Sequence, residues 1–164
     1  MTTNKLERTI KYNFNNVNLL KEALIHSSYS SRSCKKNKKN YERLEFLGDR
    51  VLGLVLAEYV FHVFPEANEG LLNSYYQKYV SQEYLFNYSK KIHLSNFIKT
   101  QKGDKLDDNK SILSDVVESI IGAIYLDSGF TDCKEFITKE IIGEGIISSK
   151  PVRHPKTILQ EYCL

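Results

Sequence analysis

The sequence has 164 residues, enough for one domain of ordinary size, or for one domain and the beginning of another. Because 41% of the residues are hydrophobic and 26% are charged, the chain can bury a core, and its composition excludes an intrinsically disordered protein. The formal net charge of +3 is too small to indicate a polyanionic partner by itself.

The sequence pattern carries no zinc, membrane or export signal. The 3 cysteines form no CxxC pair and the 4 histidines have no zinc spacing, so we expect neither a disulfide framework nor structural zinc. The longest apolar run, residues 51–57, is far shorter than the roughly 20 residues of a membrane-spanning helix. Residues 1–16 lack the apolar core of a signal peptide. We therefore expect no membrane span and a cytoplasmic protein.

Long stretches of the chain are free to be helical, because Pro65 is the only proline in residues 1–145. The apolar spacing predicts two short amphipathic helices within residues 6–24 and a polar loop over residues 27–40. A long, mostly buried helix is predicted over residues 41–64, ending before the proline. We therefore predict an all-α fold of about seven helices.

The second half of the chain supplies the remaining helices. Residues 69–80 and 81–91 are predicted to be helical, although their tyrosines would also suit strands. Ser111 is a predicted N-cap of a helix that Gly129 ends. Asp132, with a glutamate three residues later, resembles a capping box that opens the next helix.

Carboxylates recur at helical spacing in two of these predicted helices. In the long helix, Glu42, Glu45 and Asp49 fall within about 60° of one another around the helix axis. In the later helix, Asp115 and Glu118 are one turn apart, with a serine and a glycine on the same side and apolar residues on the opposite side. We expect the small residues to leave room for a ligand beside the acids.

An acidic helix face is most often a solvated one, but Glu45 and Asp49 lie among apolar residues, and Glu45 has no basic partner four residues later. If both helices bring their acids into one pocket, two like charges about 5 Å apart repel by roughly 3 kcal/mol at an effective dielectric constant near 20. A divalent cation would offset this repulsion. Carboxylates without histidine or cysteine suit Mg²⁺ or Mn²⁺, and such a site favours phosphodiester chemistry.

Both acidic helices resemble those of a known family. Residues 40–52, NYERLEFLGDRVL, resemble the signature of ribonuclease III, an endonuclease of double-stranded RNA, and residues 111–127, SILSDVVESIIGAIYLD, resemble its second acidic helix. Glu69 and Gly70 fall where that family has an acidic residue and a glycine. Residues 154–162, HPKTILQEY, resemble the opening of the family's double-stranded-RNA-binding domain.

The resemblance implies an all-α, homodimeric endonuclease domain at residues 1–145, a linker at 146–153 and the truncated start of an RNA-binding domain at 154–164. Residues 143–151, GEGIISSKP, also have the small, polar composition of a linker. The implied activity is Mg²⁺-dependent cleavage of double-stranded RNA in the processing of rRNA and other structured precursors. It leaves 5′ phosphates and short 3′ overhangs and needs no small-molecule cofactor.

Carried over by position, the resemblance makes four acids the ligands of Mg²⁺, for which Mn²⁺ can substitute. They are Glu45, Asp49, Asp115 and Glu118, of which Asp49 and Glu118 are also the expected catalytic residues. The Mg²⁺ ion would lower the pKa of a bound water that attacks phosphorus and would stabilise the leaving oxygen.

Five further residues bear on the resemblance. Glu42 and Glu69 would be supporting acids. Phe46 would be ordinary core in an arbitrary helix, but the resemblance places it in a socket on the partner subunit, which we favour. Arg50 stands where the family usually has a small residue, and Tyr76 stands near a common arginine. These two departures affect RNA contacts more than metal binding.

The expected RNA contacts lie mainly in basic segments. Lysine-rich loops are usually just solvated, but a cation cluster near an acidic metal site would supply phosphate contacts. The loop cations are Arg32, Lys35, Lys36, Lys38 and Lys39. In the tail, Thr157, Gln160 and Glu161 match minor-groove positions of the family's RNA-binding domain. His26 is interpreted as a structural hydrogen-bonding residue rather than an acid–base group.

Two alternatives to the nuclease remain open from the sequence. A catalytically silent relative would use the same dimer and basic surface to bind structured RNA, but such a scaffold gains nothing from uncompensated carboxylates held together. A helical protein-interaction module would have no affinity for RNA.

Overall fold

The computed structural model describes residues 2–31, 40–101 and 106–143. Three of the sequence-based predictions lie outside these residues: the cation cluster of the loop, the linker, and the three RNA-binding residues of the tail. In the described part of the chain, no helix is both long enough and apolar enough to span a membrane.

The described residues fold into helices and form no strand; a single isolated parallel bridge joins Ile25 to Lys99. The all-α prediction is confirmed. The helices are α1 (Thr2–Ile10), α2 (Val17–Ala23), α3 (Ser27–Ser31), α4 (Glu42–Val63), α5 (Glu69–Val80), α6 (Gln82–Lys91), a 3₁₀ turn (Leu94–Phe97), α7 (Lys110–Ser128), α8 (Phe130–Phe136) and a π-helical turn (Ile137–Ile142).

The core is built around α4 and α7, which pack along each other at the centre of the domain. Leu52 and Leu56 of α4 and Ile121 and Ile124 of α7 are fully buried. Burial of a side chain of this size contributes roughly 1.5–3 kcal/mol to the free energy of unfolding. The two helices that carry the predicted acids therefore also form the centre of the buried core.

The small residues of α7 serve packing, so the expectation that they leave room for a ligand is wrong. Ser119 is fully buried and donates its hydroxyl hydrogen to the carbonyl oxygen of Ala23, 2.8 Å away. A Cβ atom on Gly122 would lie only 2.1 Å from the carbonyl oxygen of Leu44 in α4. These residues let α2 and α4 approach the backbone of α7 closely.

Several predicted helix ends are corrected by the capping contacts. Asn109, rather than Ser111, caps α7, because its side-chain oxygen accepts the N–H of Ile112 at 3.1 Å. The helix does end at Gly129, as predicted, but α8 begins directly after this glycine. The predicted capping box at Asp132 is therefore wrong, since this residue lies in the first turn of α8.

The polar loop predicted over residues 27–40 begins with a short helix, α3. The ring Nδ1 atom of His26 accepts the backbone N–H of Ser28 at 3.2 Å and lies 2.8 Å from its hydroxyl oxygen, which supports the first turn. The strand alternative for residues 69–91 is wrong. Both segments are helical, and their tyrosines at positions 75, 79 and 88 are buried in the core.

Candidate metal centre

The acidic residues of α4 lie in its first two turns. Asn40 precedes the helix, and its side-chain oxygen accepts the backbone N–H of Glu42 at 3.2 Å. Its amide group donates to the Glu42 carboxylate, also at 3.2 Å. Glu45 follows one turn later and Asp49 one turn after that, so that the predicted acidic face is present on the structured helix.

The acids of α7 face α4 because the two helices touch backbone to backbone near Glu118. One carboxylate oxygen each of Glu45, Asp115 and Glu118 can be chosen so that all three atoms lie within 4.8 Å of one another. All three side chains are half-buried. Three of the four predicted ligands are therefore brought together, from two different helices.

The protonation of this cluster is strongly perturbed. Burial, together with the nearby carboxylates of Asp49, Asp115 and Glu45, raises the pKa of Glu118 to about 8. Burial and neighbouring acids also raise the pKa of Glu45 to about 7. Both shifts have the same physical cause: a carboxylate that is partly removed from water, with like charges around it, is harder to ionise.

Among the three clustered acids, Asp115 has side-chain hydroxyl groups next to its carboxylate. Burial raises the pKa of this carboxyl, whereas the hydroxyl groups of Ser114 and Ser111, at 3.4 and 3.5 Å, and the nearby charge of His26 oppose the rise. The donors therefore favour the ionised form of Asp115 within a cluster that otherwise resists ionisation.

Two aromatic rings beside the cluster were not predicted to belong to the site. The rings of His26 and Tyr41 stack with their centroids 5.4 Å apart. Burial and the charges of Asp115, Glu45 and Glu42 raise the pKa of Tyr41 to about 12. The predicted structural hydrogen bond of His26 is present, but its ring also lies close to the acids. No sequence spacing indicates this, because the two rings come from separate segments.

Asp49, the fourth predicted ligand, is adjacent to the cluster but not part of it. Its carboxylate forms an ion pair with the guanidinium group of Arg50. Its charge still reaches the cluster, because it contributes to the raised pKa values of Glu45 and Glu118. Arg50 has the opposite effect on Glu118, and its positive charge partly offsets the acidic field.

The predicted supporting residues lie at different distances from this centre. Glu42 is exposed, but its charge adds to the raised pKa of Glu45. Glu69 is exposed in the first turn of α5 and contributes to none of the pKa shifts in the cluster. The side chain of Phe46 is 67% exposed, so Phe46 is not a core residue of the protomer.

The donor set fits a hard divalent cation. Mg²⁺ takes oxygen ligands at about 2.0–2.1 Å, so two ligands on opposite sides of one ion are about 4.2 Å apart. The chosen oxygen atoms of Glu45, Asp115 and Glu118 lie within 4.8 Å of one another, which is compatible with a shared ion of this size. The described residues offer no histidine or cysteine atom in this group, and an all-oxygen set suits Mg²⁺ or Mn²⁺.

The comparison with protein families agrees with the resemblance seen in the two motifs. Residues 16–144 match the family model described as ribonuclease-III-like. The chain belongs to the ribonuclease III family. The matched segment contains α2 to α8 and therefore every residue of the three-acid cluster.

Curated relatives with the name Ribonuclease 3 align with nearly the whole chain. The Ehrlichia ruminantium (strain Welgevonden) protein is 40% identical over 165 residues, covering 99% of this chain and 72% of that protein. The protein of Wolbachia sp. subsp. Brugia malayi is 38% identical over 162 residues, covering 96% of this chain. The chain spans 66% of the length of the Wolbachia protein.

Solved structures of the family have the same fold. The crystal structure of the nuclease domain of ribonuclease III from Campylobacter jejuni is 37% identical, with a TM-score of 0.77, covering 90% of this chain and 97% of that domain. A second structure of that domain describes flexibility in its region involved in dimer formation. Dicer from Pichia stipitis, at 21% identity and a TM-score of 0.61, shares the fold.

Arg50 and Tyr76, which the sequence analysis singled out, have different surroundings in the structure. The hydroxyl oxygen of Tyr76 lies over α4 at Gly53, where an added Cβ would be 2.9 Å from it. Tyr76 is therefore a packing residue between α5 and α4. Arg50 is instead exposed and bound to Asp49, directly beside the candidate metal centre.

Proposed function

We propose that this chain is a divalent-cation-dependent endoribonuclease that hydrolyses phosphodiester bonds of double-stranded RNA and leaves 5′ phosphates and short 3′ overhangs. The observation that carries the proposal is the convergence of Glu45, Asp115 and Glu118 from two helices within 4.8 Å. The curated relatives and the Campylobacter jejuni domain support it, because both are named as ribonucleases of this family.

In this proposal, Glu45, Asp115 and Glu118 hold Mg²⁺ or Mn²⁺, and Asp49 joins them as a ligand and catalytic residue. The ion would supply a water of lowered pKa and a positive charge near the leaving oxygen. The hydroxyl groups of Ser111 and Ser114 lie 3.5 and 3.4 Å from the Asp115 carboxylate and favour its ionised form. The protein thus contributes an arranged set of oxygen ligands whose mutual repulsion, when they are ionised, a cation offsets.

The raised pKa values indicate what these residues do before a cation arrives. Near neutral pH both carboxyl groups are partly protonated, because the pKa values of Glu45 and Glu118 are about 7 and 8. A cation that binds to both carboxylates releases these protons. Metal affinity should therefore rise with pH across this range, as should cleavage.

We also propose that two copies of this chain act together, as the resemblance implies. Phe46 is exposed beside an open groove of about 610 Å³, which its own side chain helps to line with Leu19, Leu47 and Leu126. In a two-fold symmetric dimer, each Phe46 can enter the groove of the other copy. Two acidic centres would then face the two strands of one duplex.

The finer assignments of the sequence analysis remain part of this proposal. They are a substrate range of rRNA and other structured RNA precursors, a cytoplasmic location, supporting roles for Glu42 and Glu69, and RNA contacts by Thr157, Gln160 and Glu161. The domain division at residues 1–145, 146–153 and 154–164 also stays a prediction.

The test is an end-labelled RNA duplex incubated with the 164-residue chain at low salt, with Mg²⁺ or with EDTA. We expect discrete Mg²⁺-dependent fragments, which Glu118→Gln abolishes. Glu66→Gln, which removes an exposed acid in the turn before α5, is the matched control and should leave cleavage unchanged. An active Glu118→Gln variant would contradict the site assignment.

A second measurement separates the silent alternative from the nuclease. If the chain leaves the duplex intact but shifts it in a gel with Ca²⁺ present, it is a structured-RNA-binding protein of the same fold. If it neither cuts nor shifts the duplex, both RNA functions are wrong for this chain.

A further inference from the structure

Arg50 connects the two features on which the proposed function depends. Its guanidinium group forms an ion pair with the carboxylate of Asp49, beside the three-acid cluster. The central carbon of the same guanidinium lies 5.3 Å from the centre of the Phe46 ring. Arg50 therefore binds one side chain of the acidic centre and one exposed aromatic side chain at the same time.

Each contact is one that a binding event would remove. Arg50 pairs with one oxygen of the Asp49 carboxylate, so a cation that binds this carboxylate competes with the guanidinium. The guanidinium lies over one face of the Phe46 ring, so a groove on a second copy that encloses the ring competes with Arg50 for that face. The arrangement seen in the single protomer therefore opposes both events with one side chain.

Static stability does not explain this arrangement. The side chains of Arg50 and Asp49 are 67% and 44% exposed, and an ion pair so open to water adds little to the free energy of unfolding. The planar guanidinium suits both contacts, since it pairs with a carboxylate along its edge and stacks on a ring with its face. The position of the residue between two functional groups is what distinguishes it.

We propose that Arg50 is a positioning residue that couples cation binding at the acidic centre to the docking of a second copy of this chain through Phe46. The inference rests on the proposed function, because it requires both the metal centre and the dimer. It goes further by assigning a role to Arg50, which the proposed function leaves without one.

The sign of the coupling follows from the shared side chain. Cation binding removes the acidic partner that holds the guanidinium near the Phe46 ring, and docking of Phe46 removes the ring that holds it beside Asp49, so each event weakens the contact that opposes the other. Cation binding therefore strengthens dimerisation, and by thermodynamic reciprocity dimerisation strengthens cation binding by the same factor. A chain with a small residue at position 50 has neither contact to break and should show no such linkage.

The experiment is sedimentation equilibrium of the 164-residue chain with Mg²⁺ or with EDTA, in the absence of RNA. For the unsubstituted chain, we expect Mg²⁺ to lower the dimer dissociation constant by about five-fold or more. Arg50→Ala should give the same dissociation constant in both buffers. Arg50→Lys, which keeps the charge beside Asp49 but lacks the planar face, should show an intermediate ratio.

Lys139→Ala is the charge-matched control. This substitution removes an exposed cation of the π-helical turn, which pairs with Glu135 and not with an acid of the candidate metal centre. The Lys139→Ala chain should therefore keep the full Mg²⁺ effect on dimerisation. Calorimetric titration of Mg²⁺ at protein concentrations below and above the dimer dissociation constant gives the reciprocal value. The melting temperature of Arg50→Ala should equal that of the unsubstituted chain, which a merely structural role would not predict.

The outcomes separate the two proposals. If the unsubstituted chain binds Mg²⁺ and dimerises, but Arg50→Ala keeps the same Mg²⁺ effect, the coupling role is overturned and the proposed function is untouched. A dimer that ignores Mg²⁺ also overturns the coupling. If the unsubstituted chain neither binds Mg²⁺ nor dimerises, the proposed function fails together with this inference.

Discussion

Gly48 of α4 lies directly against the backbone of Glu118 in α7. A Cβ atom on this glycine would be 1.8 Å from the carbonyl oxygen of Glu118 and 2.8 Å from the backbone nitrogen of Gly122. No other residue type fits there without moving one of the helices. The same contact sets the distance between Glu45, one turn earlier on α4, and Glu118, so helix packing and the geometry of the acidic centre have one cause.

Gly48→Ala should therefore damage both stability and the acidic centre. The added methyl group meets main-chain atoms that cannot rotate away, and overpacking typically costs about 1–3 kcal/mol, occasionally more. We expect a large drop in the urea midpoint and loss of Mg²⁺ binding by whatever remains folded. Gly70→Ala is the control, because its Cβ would be 3.6 Å from the nearest atom, a side-chain oxygen of Asn68. Equal stability of the two variants would contradict the close contact.

Glu118→Gln should make the cation-free protein more stable at alkaline pH. The pKa of Glu118 is about 8 and that of Glu45 about 7 in the folded chain, both above the unfolded value near 4.5. Between these values the folded chain binds more protons than the unfolded chain, so the free energy of unfolding falls as pH rises. The stabilising contribution is complete below about pH 4.5 and lost above about pH 8.

The measurement for this prediction is the melting temperature in EDTA from about pH 5 to pH 8.5. The unsubstituted chain should lose stability across the range, whereas Glu118→Gln should lose less and melt roughly 3–6 °C higher at the alkaline end. Glu135→Gln is the control, because it changes an exposed acid of α8 that does not contribute to the pKa shifts of the acidic centre. Parallel curves for all three proteins would show that Glu118 titrates normally.

The helices themselves were largely predictable from the sequence. The long helix was expected at residues 41–64 and occupies Glu42–Val63, because an unbroken apolar run and a following proline mark its extent. The two motifs likewise indicated three carboxylates that lie together, Glu45, Asp115 and Glu118, whereas Asp49, the fourth predicted ligand, lies beside this cluster. Local capping was harder, because several polar residues near the start of α7 could serve, and only the backbone geometry selects Asn109.

Contacts between distant segments could not be predicted. Gly122 and Ser119 contact the backbones of neighbouring helices. From the sequence alone, small residues at these positions are equally compatible with an empty pocket beside the helix. The stacking of His26 on Tyr41 beside the acids joins residues with no shared periodicity. Arg50 was noticed as a departure, yet its simultaneous contacts with an acid and a ring depend on rotamers that spacing does not reveal.

Mg²⁺ at millimolar concentration should raise the melting temperature of the unsubstituted chain. A cation that binds only the folded state at ten times its dissociation constant adds about 1.4 kcal/mol to the free energy of unfolding. For a chain of this size, that is roughly 3–5 °C. Asp115→Asn removes one of the three clustered carboxylates and should abolish most of the increase, whereas Asp108→Asn, an exposed acid before α7, should keep it. An increase that persists in Asp115→Asn would place the bound cation elsewhere.

Asp127→Ala should destabilise the fold without touching the acidic centre. The carboxylate of Asp127, at the end of α7, accepts hydrogen bonds from the hydroxyl of Tyr12 at 2.9 Å and from the backbone N–H groups of Asn15 and Asn16 at 2.8 and 2.7 Å. Loss of these charge-assisted bonds should lower the free energy of unfolding by about 1–3 kcal/mol in urea titrations. Asp127→Asn keeps one acceptor oxygen and should lose less. Mg²⁺ binding should be normal in both variants, and a defect there would contradict a purely structural role.

Phe46→Ala should weaken the dimer and leave the protomer intact. Its ring is 67% exposed, so truncation removes almost nothing from the core, and the melting temperature of a dilute sample should not change. An aromatic anchor at the centre of an interface typically contributes about 2 kcal/mol or more, so the dimer dissociation constant should rise roughly 30-fold or more. Sedimentation equilibrium at micromolar protein measures this directly. Phe46→Leu keeps an apolar side chain for the groove and should retain part of the affinity. An unchanged dissociation constant in Phe46→Ala would mean that a different face of the protein forms the dimer.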